Sequence, residues 1–285
     1  MRARPLLAAL LLAALLACGC SRLSIGWRLA PLWLRHEAAA WLGAASDERA
    51  ALDRDVDAYL RSLSLQVAPR AAAWSRHLAK EVAASQDKAA VDSLFNDGLA
   101  LWRAIKEPGV APAADWLSRR PLQRAQALKK GFDQQAGREA GFEAGAKAAE
   151  ARAKRLKEWL QDWVGDLSGE QEDRIRAFTD RADYPTARVE ADRRRREQAL
   201  LATLAGTARR EELESQLRRW WLDLDMDRDR ATEQAVQAYR GGLRGLLTDL
   251  LDSLTPVQRD RLARRLTALA EDLDAIYRRA VTQGP

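Results

Sequence analysis

Between Leu243 and Tyr277 apolar side chains return every three or four residues: Leu243, Leu246, Leu247, Leu250, Leu251 and Leu254, then Leu262, Leu266, Leu269, Leu273, Ile276 and Tyr277. That period puts each set on one face of an α-helix, whereas strand side chains alternate every second residue. The two stripes flank Ser253 to Pro256, so they predict two amphipathic helices packed as a hairpin. The same spacing runs through Leu52, Val56, Tyr59, Leu60 and Leu63, through Trp74, Leu78 and Val82, and through Val91, Leu94, Phe95, Leu99, Trp102 and Ile105. Ala, Leu and Arg are abundant and β-branched residues scarce. The expected fold is therefore all-α, a multi-helix bundle of amphipathic helices. At 285 residues the chain is long enough to bury real cores without disulfides.

Helix punctuation divides the chain. Pro31 reads as lying near a helix start, Ser46 and Asp47 as a start, Pro69 as a separator and Ser85 to Asp87 as a break. Glu107 to Pro112, with Pro108, Gly109 and Pro112, is the strongest linker signal. The division that follows is an aromatic-rich segment over 20–45, an N-terminal helical subdomain over 46–106, a linker over 107–116 and a C-terminal helical domain over 117–285. A helix-compatible run from Pro121 to Val164 carries Gly131, Gly137, Gly141 and Gly145. Each costs about 1 kcal/mol relative to alanine inside a helix, so this run is expected to be kinked or closely packed. The G-x-x-x-G spacing there lies among Arg, Glu and Lys, which fits close packing of soluble helices and not a membrane dimer.

Residues 1–19 read as a cleaved lipoprotein signal. Arg2 and Arg4 precede an apolar run from Leu6 to Ala17 of about 12 residues, short of the roughly 20 that cross a hydrocarbon core. Gly19 stands before Cys20, which makes Cys20 the expected lipid attachment site; Cys18, after Ala17, is the alternative. A disulfide or metal site at these two cysteines is disfavoured because no partner ligands lie nearby. Ser21 follows Cys20 where Asp would signal inner-membrane retention, so the expected location is the outer membrane, facing the periplasm, with the membrane itself a partner through N-terminal acyl chains. Trp27, Trp33 and Trp41 follow closely. Their indoles could rest in the headgroup zone, although helical spacing favours a core role.

Leu254-Thr255-Pro256-Val257-Gln258 matches Leu167-Ser168-Gly169-Glu170-Gln171, 87 residues earlier. Both read as capping boxes: the Ser168 or Thr255 hydroxyl accepts from the third backbone N–H of the new helix, and Gln171 or Gln258 reaches back to the cap residue's own N–H. The Leu-Ser/Thr-x-x-Gln pattern resembles the motif of the LTXXQ group of small helical periplasmic proteins, which includes the Spy-type chaperone. The layout is more closely similar to a family of uncharacterised proteobacterial lipoproteins. The matching features are Gly19-Cys20-Ser21, the aromatic stretch from Trp27 to Trp41, the acidic start at Ser46 to Glu48, Trp163 before Leu167 to Gln171, and Arg193 to Arg196. Gly169 departs from the usual proline. The resemblance implies an all-helical protein attached to the outer membrane and brings no catalytic residues with it.

Catalytic signatures are missing from the sequence. His36 and His77 are isolated, no nucleophile elbow, phosphate-cradling loop or dinucleotide fingerprint appears, and no cofactor or metal is expected. Asp223, Asp225, Asp227 and Asp229 alternate as in a calcium loop, but the loop's glycine and terminal glutamate are missing, and a charged surface beside the core anchors Trp220 and Trp221 is preferred. The 47 basic side chains barely exceed the 41 acidic ones, which argues against a nucleic-acid partner. Arg193, Arg194, Arg195 and Arg196 cannot share one helix face, and Glu190, Asp192 and Glu197 are near enough to pair with them. A solvated helix is favoured over contact with an anionic lipid or cell-wall surface. The expected function is a non-enzymatic binding, chaperone-like or scaffold role for envelope proteins; the alternative is an enzyme acting on envelope polymers through an unrecognised carboxylate site. An exposed apolar groove would favour the first and two buried carboxylates in a cleft the second.

Overall fold

The computed structural model describes residues 21–139, 146–182, 185–206, 209–222 and 228–283. These are helical almost throughout, with no strand among them, so the observed fold is the expected all-α bundle. Helix α1 (Ser21–Leu42) leads through a 3-10 turn (Ser46–Glu48) to α2 (Arg49–Ser62), and a π-type turn (Leu63–Val67) continues into α3 (Ala68–Ala83). Then come α4 (Asp87–Arg119), α5 (Pro121–Glu139), α6 (Ala146–Val164), α7 (Gly169–Arg181), α8 (Thr186–Ala205) and α9 (Arg210–Leu217). A second π-type turn (Arg218–Leu222) precedes α10 (Arg230–Asp252) and α11 (Pro256–Thr282).

Helix α4 is the spine: 33 residues, roughly 50 Å at 1.5 Å per residue. Its first half packs Val91 and Leu94 against α6, α7 and α10. Its second half packs Val110, Ala114 and Leu117 against α5, α8 and α9, and Trp116 against α1 and α2. Helix α11 lies most extensively along α3, so the last helix of the chain shares one core with the third.

This arrangement corrects the expected linker over 107–116, which is helix. A proline inside a helix costs about 3 kcal/mol through its missing donor and its ring. Here Pro108 and Pro112 lie four apart on one face, while the burial of Val110, Trp116 and Leu117 contributes about 1.5–3 kcal/mol for each large side chain. The turn before Pro108 has outside support: the Tyr59 hydroxyl, whose pKa burial pushes up to about 12, donates to the Ile105 carbonyl at 2.9 Å. Gly109 has its own reason, since a Cβ there would come within 3.0 Å of the Trp221 ring. Pro31 likewise lies inside α1 and not near its start, held by burial of Leu23, Ala30 and Ala39 along that helix. Pro69 does fall in the first turn of α3, and the wide π-type turn before it takes up the lost hydrogen bond. Ser85 breaks the chain between α3 and α4 as expected, with φ at 57°.

Gly131 resolves the choice between kinking and close packing. A Cβ there would lie 2.5 Å from the Trp41 ring, so the glycine lets α5 approach α1. Gly141 and Gly145 lie outside the described residues, as does the side-chain environment of Gly137.

Candidate functional site

A cavity of about 700 Å³ opens between α3, the first half of α4, α6, α10 and α11, and reaches the first turns of α1. Its walls are aliphatic and aromatic, with four indoles from Trp27, Trp74, Trp102 and Trp159. Small side chains at Ala71, Ser75 and Gly98 leave the space the indoles enclose, and Leu63 and Val67 present the π-type turn to it. No acidic or basic residue and no histidine or cysteine is among those lining it. A volume of this size and a mostly apolar lining fall within the range of small-molecule pockets.

Two polar atoms at the wall stand out. Ser75, with 0% of its surface exposed, has its Oγ without a hydrogen-bond partner among the described residues, and so does the buried Trp74 Nε1. Buried donors of this kind normally find acceptors. Cations sit over two lining rings: Lys106 Nζ lies 4.3 Å from the Trp102 ring centre, and the Arg244 guanidinium 4.9 Å from that of Phe95. Lys106 is only 7% exposed and donates to the Trp221 carbonyl at 2.9 Å; burial, with Arg196 nearby, lowers its pKa to about 8. Arg244 stays partly exposed and pairs with Asp92 at 3.1 Å.

At the end of the cavity's helices the two Leu-Ser/Thr-x-x-Gln motifs meet. Each forms a capping box: Gln171 N–H donates to Ser168 Oγ at 3.3 Å and Gln258 N–H to Thr255 Oγ1 at 3.2 Å, while each glutamine Oε1 accepts from its cap residue's N–H at 2.9 Å. The glutamines also pair with each other. Gln171 Nε2 donates to Gln258 Oε1 at 3.2 Å and Gln258 Nε2 returns to Gln171 Oε1 at 3.1 Å. Each then crosses to the loop before the other motif, Gln171 to the Ser253 carbonyl at 3.1 Å and Gln258 to the Asp166 carbonyl at 2.6 Å. Ser253 precedes Thr255 by two residues as Asp166 precedes Ser168, so the hairpins α6–α7 and α10–α11 are joined by a locally two-fold seam. The spacing made both boxes legible; their mutual pairing came only with the structure.

The arginine run sits on α8 with its own acids. Arg193 lies 3.5 Å from Glu197, Arg194 3.4 Å from Glu190 and Arg196 2.7 Å from Asp192, which Arg195 also contacts. Arg194 and Arg195 are exposed, whereas Arg193 and Arg196 are partly buried, the first against Glu197 and the second against the buried Asp192. Two of the three tryptophans of the leader turn inward: Trp27 to the cavity and Trp41 onto Phe132, ring centres 5.7 Å apart. The exposed apolar residues of α1 are instead Ile25, Leu29 and Leu32.

Two polar hubs escaped the sequence reading. Arg124, 0% exposed, donates to the Leu42 carbonyl at 2.6 Å, the Gly43 carbonyl at 3.1 Å and the Glu48 carboxylate at 2.6 Å. Its hydrogen bond holds the Glu48 carboxyl below the usual range. Arg259 ties Asp87 to the carbonyls of Val82 and Leu251, closing the ends of α3, α4 and α10 together. Nothing in the local pattern separates these two from the many surface arginines.

Cys18, Cys20 and Asp223, Asp225 and Asp227 lie outside the described residues. Asp229 caps α10, accepting from Thr232 N–H at 2.9 Å. Among the described residues no three His, Cys, Asp or Glu side chains are grouped to hold a metal, and no helix is long and apolar enough to cross a membrane. Comparison of the chain with protein-family models, curated proteins and solved structures finds no match.

Proposed function

We propose that this is a non-enzymatic binding protein, lipid-anchored through Cys20 at the periplasmic face of the outer membrane, that holds apolar groups of its ligands in the tryptophan-lined cavity in a chaperone-like or scaffold role. The observation that carries the reading is the cavity: about 700 Å³ between five helices, walled by apolar side chains. A void of that size between otherwise close-packed helices forgoes dispersion contacts and leaves apolar surface to water, a cost that an apolar ligand removes. The lipoprotein signal and the resemblance to helical periplasmic lipoproteins support the address.

The test is binding of an apolar fluorescent dye such as phenylnaphthylamine, alongside suppression of aggregation of a heat-unfolded client. The wild-type protein is expected to do both. Gly98→Leu, which fills the cavity from α4 beside Trp74, is expected to lose both while remaining folded, because a Cβ at Gly98 meets Trp74 only at 3.7 Å. Equal dye binding by the two proteins would remove the cavity from the account.

A further inference from the structure

The chemistry of the cavity narrows its ligand. A peptide strand in these walls would bring backbone N–H and C=O groups with almost nothing to bond, each costly to bury unpaired. A methylene chain carries no such groups. At roughly 30 Å³ per carbon, close to the share of one water molecule, a chain of about 16–18 carbons needs about 500 Å³. The cavity offers about 700 Å³.

Where such a chain would come from follows from α1. Ile25, Leu29 and Leu32 are 56%, 56% and 66% exposed, and at 100° per residue they fall within a 60° arc on one side of the helix. Exposed Arg28 borders that stripe, and Trp27 on the inner side lines the cavity. Cys20 is joined directly to Ser21, and Leu23 is already only 5% exposed in the core with α3 and α11. The six residue steps from Ser21 to Trp27 rise roughly 9 Å along α1, so the start of that helix lies close to the cavity wall.

We propose that the stripe on α1 rests on the bilayer and that the cavity on the opposite side of that helix takes up one long acyl chain of a bilayer phospholipid, the phosphate meeting Arg244, which stacks on the lining ring of Phe95. The proposal rests on the binding-protein reading and deepens it: the apolar group is an acyl chain and its source is the membrane. Apolar burial of the chain supplies the attraction, and the indoles fix its path. Arg244, stacked on Phe95, exchanges part of its contact with Asp92 for the phosphate.

The experiment uses full-length protein incubated with vesicles of phosphatidylglycerol and phosphatidylethanolamine brominated along their acyl chains, with tryptophan quenching followed on mixing and bound phospholipid counted by mass spectrometry after the vesicles are removed. About one phospholipid per chain and strong quenching are expected for wild type. Gly98→Leu should retain at least tenfold less lipid at an unchanged melting temperature; should that variant fail to fold, Ala71→Leu fills the same space from α3. A triple variant carrying Ile25→Gln, Leu29→Gln and Leu32→Gln should load several-fold more slowly from vesicles, yet bind lipid added in detergent normally. Equal lipid in wild type and cavity-filled variants overturns the proposal. Dye binding without phospholipid uptake sinks it too, while leaving the binding-protein reading in place; loss of dye binding as well ends both. Lipid bound only when Cys18 and Cys20 are both replaced by Ala would mean that the protein's own anchor fills the cavity, which overturns the bilayer as source.

Discussion

At the Arg124 corner, guanidinium nitrogens meet carbonyls of α1 and the Glu48 carboxylate within 2.6 to 3.1 Å, and nothing is left open. Along the first half of the spine the cavity walls are apolar around an unfilled volume, and Ser75 Oγ and Trp74 Nε1, buried behind those walls, have no hydrogen-bond partner among the described residues. Both regions draw on the same bundle, but the cavity opens to the surface beside the exposed Leu99. The difference shows where the molecule is rigidly specified and where it holds surface in reserve: saturated polar hubs fix the helix ends, so the middle of the bundle tolerates a void that a uniformly greasy core would collapse into.

Breaking the saturated side should have the largest effect. Arg124→Ala leaves Glu48 only the longer 3.5 Å contact with Arg120 and strands the carbonyls of Leu42 and Gly43, and is expected to cost about 3–5 kcal/mol in denaturant unfolding. A loss under about 1 kcal/mol would show that the corner is not what fixes α1 against α5. Because Arg124 lowers the folded-state pKa of Glu48 below its ordinary value of 4.5, the pair's stabilisation is complete above that pH and is lost as pH falls through the folded value. The acid limb of the stability profile should therefore be shallower in Arg124→Ala than in wild type.

The glutamine seam comes next. Gln258→Ala removes the pairing with Gln171 and the donor to the Asp166 carbonyl, and is expected to cost about 1–3 kcal/mol. The Gln171→Ala, Gln258→Ala pair should cost less than the sum of the single changes, since the mutual pairing of the two amides is lost in each single variant alike. Strict additivity in a thermodynamic cycle would mean that the two hairpins are held by apolar packing alone. Thr255→Ala removes one cap and should cost about 0.5–2 kcal/mol, with ligand binding falling only as far as folding does. Unchanged melting with abolished binding would make the motif part of the site.

The smallest effect sharpens the contrast at Lys106, which sits over a cavity-lining ring. Its folded-state pKa of about 8 lies below the ordinary 10.5, so between these values the unfolded chain binds more protons and stability rises with pH. Above pH 10 the buried Tyr59 opposes this, since its pKa is raised. Lys106→Met should flatten the rise between pH 8 and 10 in urea titrations; an unchanged slope would assign it to another group.

The helical stripes were legible because period alone decides which face is buried: Leu262, Leu266, Leu269, Leu273 and Ile276 line the core as their spacing required. The capping boxes were legible because all their partners lie within four residues. Pro108, Gly109 and Pro112 misled for the same reason, since local propensity cannot weigh the tertiary burial of Val110, Ala114 and Trp116 that carries the helix through. Trp27, Trp74, Trp102 and Trp159 all scan as ordinary core residues, and no local pattern distinguishes a tryptophan that fills a core from one that walls a cavity.

What the sequence determined by itself was therefore the all-α class and the cap at each Leu-Ser/Thr-x-x-Gln, both set by side chains acting on neighbours within a turn or two. What only the tertiary structure decided was which residues meet across the bundle: Gln171 with Gln258, Arg124 with Glu48, and four indoles around one void. Those meetings depend on the relative placement of helices far apart in the chain, which is fixed by close packing summed over the whole core and is written in no single segment.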